Sequence, residues 1–246
     1  MTTKKVISLA ISLTSYQEAL QQIVCWSKLN KAAYACFANV HMTIEAYRQK
    51  LFASQVNQAN YVFADGKPLV IALKLLYGIT QERIAGMDFM EDIFRQAHTQ
   101  QLKIFLYGST DDVLAAIRKR SHQQYPQVQI VGCVSPPFRK LSEQEQQKYI
   151  DQINHTGAHL VLVALGCPKQ EKWMARYSPQ IQAVLLGVGG AFPVFAQMQK
   201  RAPAWMQKWA LEWLYRLWQE PQRLWKRYFV TNMYFLWLFF RQLLKR

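Results

Sequence analysis

The sequence predicts an α/β protein: a mostly parallel sheet with helices on both faces, followed by a helical appendage at the C-terminus. Three observations predict it. Over the first 195 residues short apolar runs alternate with helical patterns, the arrangement that builds parallel sheets from strand–helix–strand units. Glycines and several polar residues cluster where those apolar runs stop. The composition then shifts near Gln199–Pro203. Lys200 to Arg246 holds ten Lys or Arg against Glu212 and Glu220, which is +8 of the net +15, and six of the eight Trp. The 246 residues therefore divide into a core, 1–199, and a basic, Trp-rich appendage, 200–246.

The elements follow in order. "AYACFANV" (Ala33–Val40) and "NYVFADG" (Asn60–Gly66) read as strands, the second running into an apolar helical pattern. "LKIFLYGS" (Leu102–Ser109) is a strand that stops at glycine. The "TDDVLAAIRKR" after it has acids in its first turn and bases in its last, as a helix macrodipole favours. "VQIVGCV" (Val128–Val134) is the next strand. "LSEQEQQKYIDQINHTG" is an amphipathic helix opened by a capping box at Ser142 and Glu145. "AHLVLVALG" (Ala158–Gly166) and "AVLLGVGGAF" (Ala183–Phe192) complete the sheet. In the tail, Pro221 follows Glu220 and splits the segment into two helices, because proline starts a helix better than it continues one.

Bulk properties narrow the class. Half the residues are hydrophobic and 18 % are charged, so a core can form and global disorder is excluded. Cys25, Cys36, Cys133 and Cys167 are scattered without C-x-x-C spacing, which suits a reducing cytosol better than a disulfide framework. Met1–Lys5 is polar and does not open a signal peptide. The longest uncharged apolar stretch, Tyr228–Phe240, falls short of the roughly 20 residues that a spanning helix needs.

Asn39, Asp65, Tyr107–Gly108, Gly132, Gly166–Gln170 and Gly187–Gly190 all sit at or just after the carboxyl end of a predicted strand. In open α/β sheets that edge is where ligands bind. Each has a plainer explanation. Glycine ends strands for turn geometry alone, and Asp65 suits a helix cap or an Asp-Gly turn as well as a general base in a cleft. Arg83 with Asp88 reads equally as a surface ion pair. "GVGG" (Gly187, Val188, Gly189, Gly190) is either a tight turn or a phosphate cradle. Lys169, beside Gln170, opposes the macrodipole of the helix it opens, which points to an anionic ligand. No Asp-x-Asp occurs, and Gly157 breaks the helical face that His155 and His159 would share, so no metal is expected. No other cofactor is implied.

"ADG" (Ala64–Gly66), "RIAGMD" (Arg83–Asp88), "FLYG" (Phe105–Gly108), "LGCPKQEKW" (Leu165–Trp173), "GVGGAF", "KRAP" (Lys200–Pro203) and "LEWLYRLWQEPQRLWKRY" occur in this order across almost the whole chain. Together they resemble the WecG/TagA/CpsF family of glycosyltransferases. The resemblance implies a Rossmann-like core and an inverting, metal-independent transferase. Such enzymes move an N-acetylmannosamine-type sugar from UDP to a polyprenyl-diphosphate-linked N-acetylglucosamine in bacterial surface-polysaccharide synthesis. It places the base on Asp65, further pocket residues on Asn39, Arg83 and Gln170, and nucleotide contacts around Gly187–Gly190. Many relatives carry Asp after "GAF" and Gly four residues later; here these positions are Pro193 and Gln197.

With no metal, the leaving diphosphate needs backbone N–H groups and arginines. Arg223 and Arg227 are spaced i, i+4 on one helical face, and Arg216 joins them if the break at Pro221 bends little. The tail's Trp residues, with Lys226, Arg241, Lys245 and Arg246, suit an anionic bilayer surface; the plainer reading, compatible with the first, is an amphipathic helix packed on the core. The expectation is a cytoplasmic enzyme, peripheral on the inner face of the bacterial membrane, that does not bind nucleic acid. A homo-oligomer is compatible with it. Two alternatives have distinct signatures. A basic nucleic-acid-binding protein would show salt-sensitive binding that survives loss of Asp65. A non-catalytic adaptor would bind UDP-sugar without turnover.

Overall fold

The computed structural model describes residues 2–203, 205–206 and 211–245; for Arg216, Arg223, Leu224, Lys226 and Arg227 it describes the backbone alone. An N-terminal hairpin of β1 (Thr3–Val6) and β2 (Leu9–Ser12) precedes α1 (Tyr16–Lys28). Then come β3 (Ala33–Ala38), α2 (Val40–Arg48), α3 (Lys50–Asn57), β4 (Tyr61–Ala64), α4 (Lys67–Tyr77) and α5 (Gly86–Gln100). The second half continues with β5 (Lys103–Gly108), α6 (Asp111–Gln124), β6 (Gln129–Val134), α7 (Glu143–His155), β7 (Leu160–Ala164), α8 (Lys169–Tyr177), β8 (Val184–Gly187) and the short α9 (Ala191–Phe195). The tail forms α10 (Glu212–Gln219) and α11 (Pro221–Leu244), with Pro221 opening the second helix as expected.

Six strands form one all-parallel sheet in the order β4-β3-β8-β7-β5-β6. Their burial explains the uninterrupted apolar runs. Tyr34, Cys36 and Ala38 of β3 face one core cluster, while Ala33, Ala35 and Phe37 face the other. β7 repeats the alternation, with Val161 and Val163 on one side and Leu160 and Leu162 on the other. Both faces are covered, so neither face of these strands needs polar residues. The Ser142–Glu145 capping box opens α7, and a second, at Ser15 and Glu18, opens α1. His159 accepts from the Lys103 N–H (3.0 Å), tying β7 to β5.

The compositional boundary at residues 199–203 is not a packing boundary. Phe235, Leu238 and Phe239 of α11 are buried within the first core cluster. Tyr234 packs edge-on against Tyr47 of α2 (5.7 Å). Gln242 accepts from the Ile7 N–H (2.8 Å) and donates to the Lys5 carbonyl (3.0 Å), fastening the end of the helix to the hairpin. Each large apolar side chain buried this way contributes roughly 1.5–3 kcal/mol, so the last turns of α11 are part of the folded core. The opposite face of the same helix exposes Trp225, Phe229, Met233, Trp237 and Phe240.

Candidate active site

Because the sheet is parallel, its strands end along one edge. Asn39 follows β3 and caps α2, its Oδ1 accepting from the Met42 N–H (3.1 Å). The N–H groups of Asp65 and Gly66, just past β4, both donate to the Ala38 carbonyl (2.9 and 3.3 Å). This clamps the two strand ends together, and a Cβ on Gly66 would lie 3.5 Å from Asn39 Cα. The residue that caps α4 is Gly66, with no side-chain cap bond, so Asp65 is not the helix cap. Asp65 is half-buried at this edge.

Arg83 reaches the same place because the Ile84 N–H donates to the Ala64 carbonyl (3.0 Å), laying the segment beside β4. Its guanidinium pairs with Asp88 (3.6 Å) and, at short range, with Glu212 of α10. Burial works against the charge on Arg83, and the carboxylates of Glu212, Asp65 and Asp88 outweigh it, so its pKa moves up from the ordinary value. Asp88 in turn pairs with Arg201 (2.5 Å). A chain of alternating charges thus runs from the strand edge into the tail. The Arg83–Asp88 pair, for which a surface ion pair was one of two readings, is a partly buried part of this junction.

Gln170 is buried in the first turn of α8. Its Oε1 accepts from the Gly166 N–H (3.2 Å), and its Nε2 donates to the Gly187 carbonyl (2.9 Å) and to Glu171 Oε1 (2.8 Å). Gly189, in the left-handed region at φ +46°, presses on this amide: a Cβ there would come within 2.9 Å of Gln170 Oε1. The Gly189 N–H donates to the Val163 carbonyl (3.1 Å). Gly190 precedes α9 and is exposed, as is Lys169.

Several expected ligand contacts have packing roles here. Tyr107 is enclosed, its ring stacked on Trp173 (4.4 Å) and edge-on to Tyr149 (5.9 Å). Val188 is buried in the second core cluster. Gly132 lies within β6 rather than at its end, where a Cβ would overlap the Phe105 ring. Gly108 adopts φ +108°, and a Cβ there would come within 2.5 Å of the Ala164 carbonyl oxygen. Gly187 leaves room for Met174. These positions lie in the right strands, but their neighbours come from distant segments and local sequence does not reveal them. Arg216 lies in α10 and Arg223 and Arg227 in α11, and their side chains fall outside the described residues.

A cavity of about 500 Å³ opens beside this edge rather than on Asp65 itself, between α5, α6, α9 and the tail. Met87, Arg120, Phe195, Gln197, Lys200 and Tyr215 line it, together with Arg201, which links it to Asp88. Arg120 is held by both oxygens of Glu91 (3.0 Å each) and by the Phe195 carbonyl (2.8 Å). Gln197 sits at this lip with φ +58°, a left-handed conformation at the end of α9 that glycine adopts without strain. Among the described residues no group of three or more His, Cys, Asp or Glu could hold a metal ion.

The order of these motifs along the chain is decisive when set beside known proteins. The model of the glycosyl transferase WecG/TagA/CpsF family matches residues 4–246. The chain belongs to that family. An N-acetylglucosaminyldiphosphoundecaprenol N-acetyl-β-D-mannosaminyltransferase of Bacillus subtilis (strain 168) is 32% identical over 217 residues, covering 88% of this chain and 82% of that protein. The protein of the same name from Staphylococcus aureus (strain MW2) is 31% identical over 191 residues, 77% of this chain and 72% of its own. Family membership makes this chain a glycosyltransferase with a Rossmann-like sheet.

Two site features escaped sequence reasoning. Glu171 was hidden inside the "PKQEKW" block. Its signal is that it shares the buried stripe of α8 with Met174, three residues on. Glu212 contacts Arg83, whereas the tail's contact with the site was expected from arginines. Its signal is that it is one of two acids in a strongly basic segment.

Proposed function

We propose that the protein transfers an N-acetylmannosamine-type sugar from a UDP donor to polyprenyl-diphosphate-linked N-acetylglucosamine, with inversion and without a metal. The observation that carries the mechanism is the placement of Asp65. It stands at the end of β4, next to the Gly66 that packs on Asn39 and within the field of Arg83, at the edge where parallel sheets bind ligands. In this reading the Asp65 carboxylate takes the proton of the acceptor hydroxyl as its oxygen attacks the anomeric carbon. The bond to UDP breaks with its electron pair, and the departing diphosphate is met by arginine, with Arg216, Arg223 and Arg227 the candidates.

The tail has two roles in this proposal. The Arg83–Glu212 pair docks α10 against the site, and the exposed Trp225–Phe229–Met233–Trp237–Phe240 face rests on an anionic bilayer at the cytoplasmic side. Among the described residues no helix is long and apolar enough to cross a membrane. Incubation with UDP-N-acetylmannosamine and a short-chain lipid-diphosphate-N-acetylglucosamine should release UDP and form a disaccharide lipid, with or without EDTA. Asp65→Asn should keep UDP binding and lose on the order of 100-fold in turnover. Near-normal turnover would remove Asp65 from the mechanism, and loss in EDTA reversed by Mg or Mn would overturn metal independence.

A further inference from the structure

Glu171 has no accessible surface, and among the described residues its Oε2 has no hydrogen-bond partner. An acid is among the costliest side chains to enclose. Its place in the first turn of α8 does not explain the burial, since an exposed acid would serve the macrodipole as well. The groups that act on its carboxyl are Gln170, its own backbone and Cys167, and none of these is a cation. The fully buried Cys36 thiol of β3 also lies within its field, and Glu45 of α2 acts on Cys167.

Glu171 Oε1 accepts from Gln170, and the Cys167 thiol also bonds the carboxyl. The Gln170 amide has three further constraints that admit one orientation. The Gly187 carbonyl accepts, the Gly166 N–H donates, and Gly189 leaves no space for adjustment. Glu171 Oε1 is a second acceptor on the Nε2 side (2.8 Å). Rotation of the amide by half a turn would set its oxygen against two acceptors and its NH2 against a donor. One side chain therefore holds the start of the β7–α8 loop and the end of β8 at a fixed separation, and Glu171 keeps that side chain in register from beneath.

We propose that Glu171 is a positioning residue for the transfer reaction, fixing the Gln170 amide and through it the Gly166 and Gly187 backbones at the donor edge of the sheet. The proposal rests on the transferase reading above. The test is a double-mutant cycle in the full chain, reading donor kcat/KM with a soluble acceptor analogue and checking the fold by circular dichroism. Glu171→Met, which removes the acceptor at similar length, should lower kcat/KM roughly 10- to 100-fold. Glu171→Gln, which keeps an acceptor oxygen, should stay within about threefold of wild type. In a Gln170→Ala background, Glu171→Met should cost no more than about a further twofold, because its route to the site is already cut. Should Glu171→Met fail to fold, Glu171→Asp, which withdraws the acid by one methylene, takes its place with the same expected values. Independent, multiplicative losses in the double variant overturn the proposal, as does wild-type kcat/KM in a folded Glu171→Met protein or a tenfold loss in Glu171→Gln. Wild-type protein that transfers no sugar would overturn the transferase reading itself, whereas active wild type with multiplicative losses overturns Glu171 alone.

Discussion

Replacing Glu171 by Gln should make the protein more stable at pH 8 and leave it nearly unchanged at pH 4. Burial is the main cause that raises the carboxyl from its ordinary 4.5 to about 7, with the hydrogen bonds from Gln170, the backbone and Cys167 only partly opposing it. For an acid whose pKa is higher in the folded state, the linkage has one sign: stability is fully present below the unfolded value and is lost as pH rises through the folded one. One unit of pKa difference is about 1.4 kcal/mol, so the wild-type fold loses about 3 kcal/mol between pH 4.5 and pH 7.5 on account of this group. In a chain of this size that is roughly 6–12 °C in Tm. Gln cannot ionise, so the variant escapes the loss. Its NH2 would occupy the Oε2 position, which has no hydrogen-bond partner among the described residues, but the O–H of the neutral acid faces the same lack, and the two cancel at low pH. Thermal unfolding of both proteins from pH 4 to pH 8 checks this, and the difference between them removes groups common to both, such as His159. Parallel Tm curves across that range would mean that Glu171 does not titrate there and that burial does not raise its carboxyl.

Three further outcomes follow from the geometry. Gly108→Ala places a Cβ within 2.5 Å of the Ala164 carbonyl at φ +108° and should cost about 3 kcal/mol or more in urea unfolding; a loss under ~1 kcal/mol would show that the close approach of the β5 and β7 ends is not fixed. Gln197→Gly should stabilise by roughly 0.5–1 kcal/mol, the left-handed strain at φ +58° slightly exceeding the entropy cost of glycine; a lowered urea midpoint would contradict this. Glu212→Gln leaves Arg83 with Asp88 and Asp65 and should lower kcat/KM about tenfold without weakening liposome binding; unchanged kcat/KM would reduce the tail to an anchor.

The sheet was legible because it is buried on both faces. Runs such as Leu160–Ala164 carry their own evidence, as do local devices like the Ser142 capping box and Pro221. The β1–β2 hairpin was not: two four-residue strands leave too short an alternation to detect. For the site, sequence position located the correct edge, since strand ends are local features, but it could not separate residues facing a ligand from those facing the core. Tyr107 and Gly132 lie in the right strands, and what turns them to packing is Trp173 and Phe105, which reach them from other strands and helices.

The tail shows the same limit from the other side. Charge and aromatic content marked residues 200–246 as a separate unit, and half of that inference is a property of composition alone. The aromatic excess serves two surfaces of one helix, with Phe235, Leu238 and Phe239 completing the core and Trp225, Phe229 and Trp237 left outside. A count of aromatics cannot divide these populations. The 3.6-residue period of α11 can, once it is known which face meets α2. It follows that a truncation before Lys200 removes core as well as appendage, so lost activity in such a protein would not isolate a role for the tail at the site. Substitution at Glu212, which leaves the α11 contacts in place, separates the two.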